Sequence, residues 1–373
     1  MEKPKIVHIV QSLQTGGAEM LLVNLAINCK DRFDVTVISQ YKEGNFPLEK
    51  HLAEHGINTI YLDKKVGFDL RSIIELYKVL NKIKPDIVHT HLHAAIYAIP
   101  WYLTHKKTVK VHTVHSVASM ELGKTHRILQ GFAYRFCGVV PIAISPFVKD
   151  SIVGQNKIRA RKVPIILNGI DVSKYDISND RKNPDRPFTV INVASFSRWK
   201  NQIMLLNSFY KVTLKHPETQ LVFVGEGAEK AQVETAAKKL GIYDKTIFAG
   251  LTSEVEKYLN SADIFVLSST FEGVPLSILE AYAAGLPVIS TRVGGVQDIL
   301  EDGVNGFLVP SGDESAMTSA ILKLIENPEL RGKISDLNKL KAKEFDIKNI
   351  TEQYIELYSR YGEKYEKIKS NRT

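Results

Sequence analysis

Phe271-Glu-Gly-Val-Pro-Leu-Ser-Ile-Leu-Glu280 carries two carboxylates, Glu272 and Glu280, separated by seven residues. Pro275 suits the first turn of a helix, which would run through Glu280 and stop near Gly285 and Pro287. Glu272 then belongs to the preceding loop and Glu280 to the helix. Gly273, Val274, Pro275 and Leu276 lie between them, where the free N–H groups of a helix start favour phosphate. Upstream stands Arg198-Trp-Lys200, a planar guanidinium and a mobile ammonium that together can neutralise a diphosphate. Two hydrogen-bond acceptors for hydroxyls and two cations for phosphates fit a polyol bearing a diphosphate, as in a nucleotide-sugar.

Other motifs surround this pair. Gly16-Gly17-Ala18-Glu19 follows the first apolar run, where absent side chains let backbone N–H groups approach a phosphate or sugar, and Glu19 lies one helical turn further in. His115 ends His112-Thr-Val-His115; Asn168-Gly-Ile-Asp171, Gly225-Glu226-Gly227 and Gly294-Gly295-Val296 follow in that order. With the Glu-x7-Glu pair and the Arg-x-Lys, this series resembles the family 4 retaining glycosyltransferases over nearly the whole chain. The resemblance implies an α/β chain of GT-B fold, two Rossmann-like domains facing across an interdomain cleft. Residues 1–170 would bind acceptor and 171–345 the nucleotide-sugar, with 346–373 a helix crossing back to the first domain.

The resemblance also distributes roles. It implies Arg198, Lys200, Glu272 and His115 as catalytic, with His115 contacting the transferring sugar and Glu272 gripping its hydroxyls. It implies Gly16, Gly17, Gly225, Glu226, Gly273, Val274, Pro275, Leu276 and Glu280 as donor-binding, and Glu19 and His91 as acceptor or cleft residues. Asp298 stands where the family commonly has Glu, so its shorter side chain departs from the pattern. The implied reaction retains anomeric configuration. No metal or other cofactor is expected, since the chain lacks the Asp-x-Asp of the other large glycosyltransferase fold.

At 373 residues the chain exceeds one ordinary core, and its 44% hydrophobic and 24% charged residues are those of a globular protein. No apolar run reaches the ~18 residues of a membrane helix, and the start reads as a strand rather than a signal peptide, so a cytoplasmic protein is expected. Cys29 and Cys137 each fall in a helical pattern and read as buried thiols. Residues 1–170 hold 23 Lys+Arg against 13 Asp+Glu, while residues 171–373 hold 26 against 28. A basic first half suits a phosphorylated or lipid-linked acceptor, or peripheral contact with the anionic inner face of the plasma membrane. No nucleic-acid motif accompanies it, and a solvated basic face is the plain alternative.

Short apolar runs at Ile6–Val10, Phe33–Ser39, Ile57–Leu62, Asp86–Thr90, Val109–Val114 and Val140–Ile144 alternate with helical patterns. A second series runs Thr189–Val193, Gln220–Val224, Thr246–Ala249, Ile264–Leu267, Pro287–Ser290 and Gly306–Val309. Such βα repetition predicts parallel sheets covered on both faces. Polar, Pro-bearing Ser178–Pro187 reads as the linker and Ile347–Tyr361 as the returning helix.

His89, His91 and His93 alternate along a strand end and could place three imidazoles on one face, as a metal site requires; cleft lining or packing is the favoured reading. Two other functions share this architecture: a nucleotide-sugar epimerase, and a non-catalytic donor-binding subunit of a glycan assembly complex. A dinucleotide dehydrogenase is disfavoured because Gln11-Ser-Leu-Gln-Thr-Gly16-Gly17 lacks Gly-x-Gly-x-x-Gly.

Overall fold

A computed structural model describes residues 2–14, 16–115, 123–175 and 186–370. The chain divides into two units, Met1–Gly169 with Ile347–Thr373, and Ile170–Asp346. In the first, β1 (Lys5–Val10), β2 (Asp34–Ser39), β3 (Asn58–Tyr61), β4 (Ile87–His91), β5 (Val109–Val114) and β6 (Val140–Ala143) form a sheet ordered β3-β2-β1-β4-β5-β6. In the second, β7 (Thr189–Val193), β8 (Gln220–Val224), β9 (Thr246–Gly250), β10 (Ile264–Leu267), β11 (Val288–Thr291) and β12 (Gly306–Val309) are ordered β12-β11-β10-β7-β8-β9. All neighbouring pairs are parallel. Read from its other edge, the second sheet has the strand order of the first.

Parallel sheets need helices on both faces, so their strands must be apolar on both sides. Ile264-Phe-Val-Leu267 meets that requirement with every side chain at 0% exposure. Full burial of each such side chain favours the fold by roughly 1.5–3 kcal/mol. The helix that begins at Ile347 returns to the first unit, where Ile350, Tyr354, Ile355, Leu357 and Tyr358 enter the core. Its tyrosines are also tied by hydrogen bonds, Tyr354 to Thr113 (3.1 Å) and Tyr358 to His89 Nδ1 (2.7 Å).

Several local readings shift. The helix carrying Glu280 is Leu276–Ala283, so Pro275 caps it rather than opening its first turn: Pro275 is extended, and its carbonyl accepts from Ile278 N at 3.2 Å. Gly294–Asp298 is a short 3₁₀ turn. Cys29 ends the helix Gly17–Cys29 and Cys137 caps Lys124–Phe136, both as free buried thiols. Of the linker Ser178–Pro187, residues 178–185 lie outside the described residues; Arg186 anchors its end with a bidentate pair to Asp263 at 2.8 and 2.5 Å.

Each sheet reverses its winding once, between β1 and β4 and between β7 and β10. In open parallel sheets the loops leaving the carboxyl ends of such a strand pair splay apart, one crossing above the sheet and the other below, which leaves a crevice for ligand.

Candidate functional site

In the second unit the loops after β7 and β10 meet at that crevice. The first folds as a turn in which Lys200 N bonds Ser197 O at 2.9 Å, followed by Asn201 at φ 47°. The second is fastened to it: Ser268 Oγ donates to the carbonyls of Lys200 and Asn201 (both 2.9 Å), and Thr270 N to that of Trp199 (2.7 Å). The result brings Lys200 Nζ within 2.6 Å of Glu272 Oε1, although 72 positions separate them. Ser269 Oγ donates to the same oxygen at 2.5 Å. Glu272 is buried, so its carboxylate is held by one cation and one hydroxyl in a fixed position. Arg198 lies with its guanidinium carbon 4.4 Å from the Trp199 ring centre, a cation–π contact within the same turn.

Glu280 sits on the helix after the same loop. Burial is the largest influence on its carboxyl, pushing it up to about 7, and a hydrogen bond from the Tyr175 hydroxyl opposes that rise. Tyr175 follows a turn, Val172–Lys174, capped by Asp171, whose Oδ1 accepts from Ser173 N (3.1 Å) and Ser173 Oγ (2.6 Å). Asp171, the last residue of Asn168-Gly-Ile-Asp171, thus caps the turn that leads into Tyr175.

Gly225 and Gly227 stand at the end of β8 against the same β7 loop. A Cβ on Gly225 (φ 138°) would lie 2.1 Å from the Ala194 carbonyl oxygen, and one on Gly227 2.2 Å from that of Phe196. The two loops join by Phe196 N to Glu226 O at 3.0 Å, while the Glu226 carboxylate pairs with Lys230 (2.6 Å). Gly295 N points to Glu272 O at 3.4 Å, closing the site on the β11 side. Gly273 and Val274 are buried within the loop.

In the first unit Gly16 caps the helix Gly17–Cys29 without a side chain, and Gly16 O accepts from Met20 N at 2.9 Å. A Cβ on Gly16 would fall 2.3 Å from Glu19 Oε2, so the Glu19 carboxylate folds back over the glycine. The histidines depart from the alternating set read in the sequence. His93 leaves the strand for a 3₁₀ turn and bonds Gln11 Oε1 at 3.0 Å; His8 of β1 takes its place beside His89 and His91. His91 bridges His8 Nδ1 (3.4 Å) and His115 Nε2 (3.1 Å), while His89 spans Tyr358 and Thr113 at 2.7 Å each. The nearest nitrogens of His8, His89 and His91 lie within 4.8 Å of one another, spacing that could take a cation, yet every ring nitrogen of His89 and His91 already has a protein partner. Burial lowers His8, His112 and His115 to about 3, which keeps these rings neutral, and lowers His89 and His91 well below the usual imidazole range.

Next to this cluster, at the carboxyl ends of β1 to β4, opens a pocket of about 260 Å³ lined by Gln11, Gln40, Tyr41, Lys64, Phe68 and Tyr97, with His93 and His126. Lys64 is held inside it, 5.1 and 5.2 Å from the Tyr41 and Tyr97 ring centres and bonded to the carbonyls of Lys65 (2.9 Å) and Gly67 (2.5 Å). Gln40 is fully buried, and among the described residues neither its amide oxygen nor its nitrogen has a hydrogen-bond partner, a costly arrangement in a protein interior. Sequence reading singled out none of Ser269, Tyr175, Gln40 or Lys64. Ser269 stands three residues before Glu272, a signal within reach; the others acquire meaning only from distant strands.

Comparison with known proteins assigns both units. Residues 15–174 match the family described as Glycosyltransferase Family 4, and residues 173–340 match Glycosyl transferases group 1. An uncharacterized glycosyltransferase of Haemophilus influenzae is 33% identical over 355 residues, 91% of this chain and 95% of its own. The GalNAc-α-(1→4)-GalNAc-α-(1→3)-diNAcBac-PP-undecaprenol α-1,4-N-acetyl-D-galactosaminyltransferase of Campylobacter jejuni is 25% identical over 364 residues, 95% and 98% of the two chains. A putative glycosyltransferase of Bacillus subtilis, EpsD, is 34% identical over 183 residues, about half of each chain (49% and 48%). Among solved structures, HepE of Anabaena in complex with UDP-glucose superposes with a TM-score of 0.83 at 22% identity, over 95% of this chain and 99% of that one. Paired Rossmann-like units, matched family models and a full-length relative agree: this chain belongs to the family 4, group 1 glycosyltransferases and has the GT-B fold.

Proposed function

We propose that this protein moves a hexose or N-acetylhexosamine from a UDP-sugar to a lipid-linked or polysaccharide acceptor in cell-surface glycan synthesis, with retained configuration and without a metal. The observation that carries this reading is the β7–β10 crevice, where Arg198 and Lys200 stand on one turn and Glu272 is fixed against Lys200. The two cations are suited to a departing diphosphate, and their charge would stabilise it as the C1–O bond breaks. In a front-face reaction the leaving phosphate oxygen takes the acceptor hydroxyl proton, and the acceptor oxygen bonds C1 on the face that the phosphate leaves. Glu272 would hold sugar hydroxyls and Glu280 the ribose hydroxyls. His115, neutral at physiological pH, would serve as a hydrogen-bond partner for the sugar rather than as an acid.

The acceptor belongs, in this reading, to the first unit. Its aromatic-lined pocket offers Tyr41, Tyr97 and Phe68 as walls for a sugar ring. The Campylobacter relative's name specifies a diphosphate-linked undecaprenol acceptor, and the Anabaena neighbour holds UDP-glucose; both support the class of acceptor and donor chosen here. No helix among the described residues is long and apolar enough to cross a membrane, so reaching such an acceptor would require peripheral contact.

Calorimetry against UDP, GDP and ADP, with and without EDTA, tests the donor and metal claims together. UDP-selective binding and transfer that both survive chelation support the reading. Metal-dependent transfer would remove the metal-free clamp, and product sugar of inverted configuration by proton NMR would remove retention. Sugar turnover in the absence of acceptor would favour the epimerase instead.

A further inference from the structure

His8 on β1, His91 at the end of β4 and His115 directly after β5 come from three neighbouring strands of the first sheet. Two nitrogen–nitrogen contacts join them: His8 Nδ1 to His91 Nε2 at 3.4 Å, and His91 Nδ1 to His115 Nε2 at 3.1 Å. His8 and His91 are fully buried, and His115 is part-buried. His89, pinned by Tyr358 and Thr113, lies with its ring centre 4.1 Å from that of His91 and 5.1 Å from that of His8, which holds both rings in place. Among the described residues the remaining nitrogen of His8, Nε2, has no hydrogen-bond partner.

This arrangement leaves few places for protons. The groups bonded to these four rings are themselves His, Tyr and Thr side chains, none of them acidic, and burial keeps the imidazoles neutral. A neutral imidazole has one N–H and one bare nitrogen. Each contact consumes one of each, and His91 takes part in both contacts. With its proton on Nδ1, His91 donates to His115 and accepts from His8 Nδ1–H; His115 then carries its own proton on Nδ1, and His8 Nε2 is bare. With the His91 proton on Nε2, all three protons change nitrogen, and His8 is left with a buried Nε2–H that has no acceptor. Only these two arrangements satisfy both contacts. The buried end decides between them, because part-buried His115 can meet a donor or an acceptor from outside the protein. An orphaned buried N–H is the rarer defect in folded proteins, and an under-satisfied acceptor is better tolerated.

We propose that His8, His91 and His115 form a hydrogen-bond chain of fixed direction, His8 donating to His91 and His91 to His115, which presents His115 to the transferring sugar as an Nδ1–H donor. Fully buried His8 and His91 act through His115 as positioning residues. The sugar atom recognised there is an oxygen that accepts. This inference rests on the reading that His115 contacts that sugar.

Two-bond 1H–15N NMR correlation of the full chain labelled with 15N-histidine reads which nitrogen of each ring is protonated. His115→Gln, a change at the part-buried end, identifies that ring, and ring-to-ring NOEs identify the other two. All three protons are expected on Nδ1 at pH 7; a proton on Nε2 of any of the three rings overturns the proposal, and the wild-type spectrum decides this even where a buried variant fails to fold. Calorimetry then tests the positioning. An asparagine amide can place an N–H where His91 Nδ1–H stands, and leucine cannot. His91→Leu should weaken binding of UDP-glucose or UDP-N-acetylglucosamine, whichever the wild type binds tighter, by roughly tenfold, the worth of one hydrogen bond. His91→Asn should recover most of that loss, and both variants should bind UDP alone as the wild type does. Equal sugar-nucleotide affinities in the two variants, or a parallel loss for UDP, would reduce His91 to a packing residue and overturn the role given to it. The two readings separate on the same samples: UDP binding with a proton on Nε2 removes only the chain, and all protons on Nδ1 without UDP binding removes the transferase reading.

Discussion

Arg198 and Lys200 are distinguished by what each holds besides a ligand. Arg198 lies against the Trp199 ring and, among the described residues, pairs with no buried carboxylate, so Arg198→Ala should lower kcat by roughly 10²-fold or more while leaving unfolding unchanged. Lys200 neutralises buried Glu272, so Lys200→Ala should lose both activity and stability, the latter because an unpaired carboxylate remains inside. Adding Glu272→Gln to Lys200→Ala should recover the stability without the activity; urea unfolding and steady-state kinetics on the single and double variants decide it, and recovery of both would mean the pair is structural only. Glu280 has the opposite signature. A carboxyl raised from 4.5 to about 7 in the folded state binds its proton more tightly there than in the unfolded chain. Stability therefore falls as pH rises through that window, by up to roughly 3 kcal/mol. Glu280→Gln should remove this slope, making the variant more stable than wild type at pH 8 yet weaker in UDP binding. Identical pH profiles for the two proteins would show that Glu280 carries no such cost. Both carboxylates and both cations were visible as motifs in the sequence. Their pairing was not, because nothing local says which carboxylate the lysine will meet.

At the scale of elements, the β8 turn shows how a weak motif becomes a strict one. Gly-x-Gly alone specifies little, and the sequence gives no sign of what Gly225 faces. In the fold it sits at φ 138° with a carbonyl oxygen 2.1 Å from where a Cβ would be. Gly225→Ala must shift the Ala194 carbonyl, and with it the loop that carries Arg198 and Lys200. A loss of at least roughly 2–3 kcal/mol is expected, with donor binding falling more than that loss of fold accounts for. Gly303→Ala provides the control: it also has positive φ (78°) but nothing within 4 Å, so only the backbone term should appear. Equal effects at the two glycines by thermal unfolding and UDP calorimetry would dismiss the close approach as a constraint. Helix starts were legible in outline, and Pro275 shows the limit: it marks the boundary but belongs one residue outside it, since an extended Pro can accept the first bond and donate none.

For the whole molecule, the two units should respond differently to acid. Five imidazoles of the first unit, His8, His89, His91, His112 and His115, are kept neutral by burial, three of them down to about 3. An unfolded chain takes up those protons below pH 6.5 and the folded one does not until far lower. Stability of the first unit should therefore fall as pH drops from 6.5 toward 3, each histidine adding up to about 1.4 kcal/mol per pH unit. The chain has two tryptophans, one in each unit: Trp101, buried in the first, and Trp199 in the second. With Trp199→Phe, fluorescence reports the first unit alone; its urea midpoint should drop steeply between pH 7.5 and 5. A midpoint that does not move would mean the cluster is protonated in the fold after all. What this sequence determined unaided was local and periodic: apolar runs alternating with helices, glycine and proline at their ends, and hence two parallel α/β units with chemistry at the strand ends. What the tertiary structure decided was every long-range meeting, Lys200 with Glu272, Tyr175 with Glu280, His8 with His91. Those contacts follow from strand order, β7 beside β10 and β1 beside β4. That order is selected by burying both faces of each sheet at once, a property of all the strands together and of no short stretch alone.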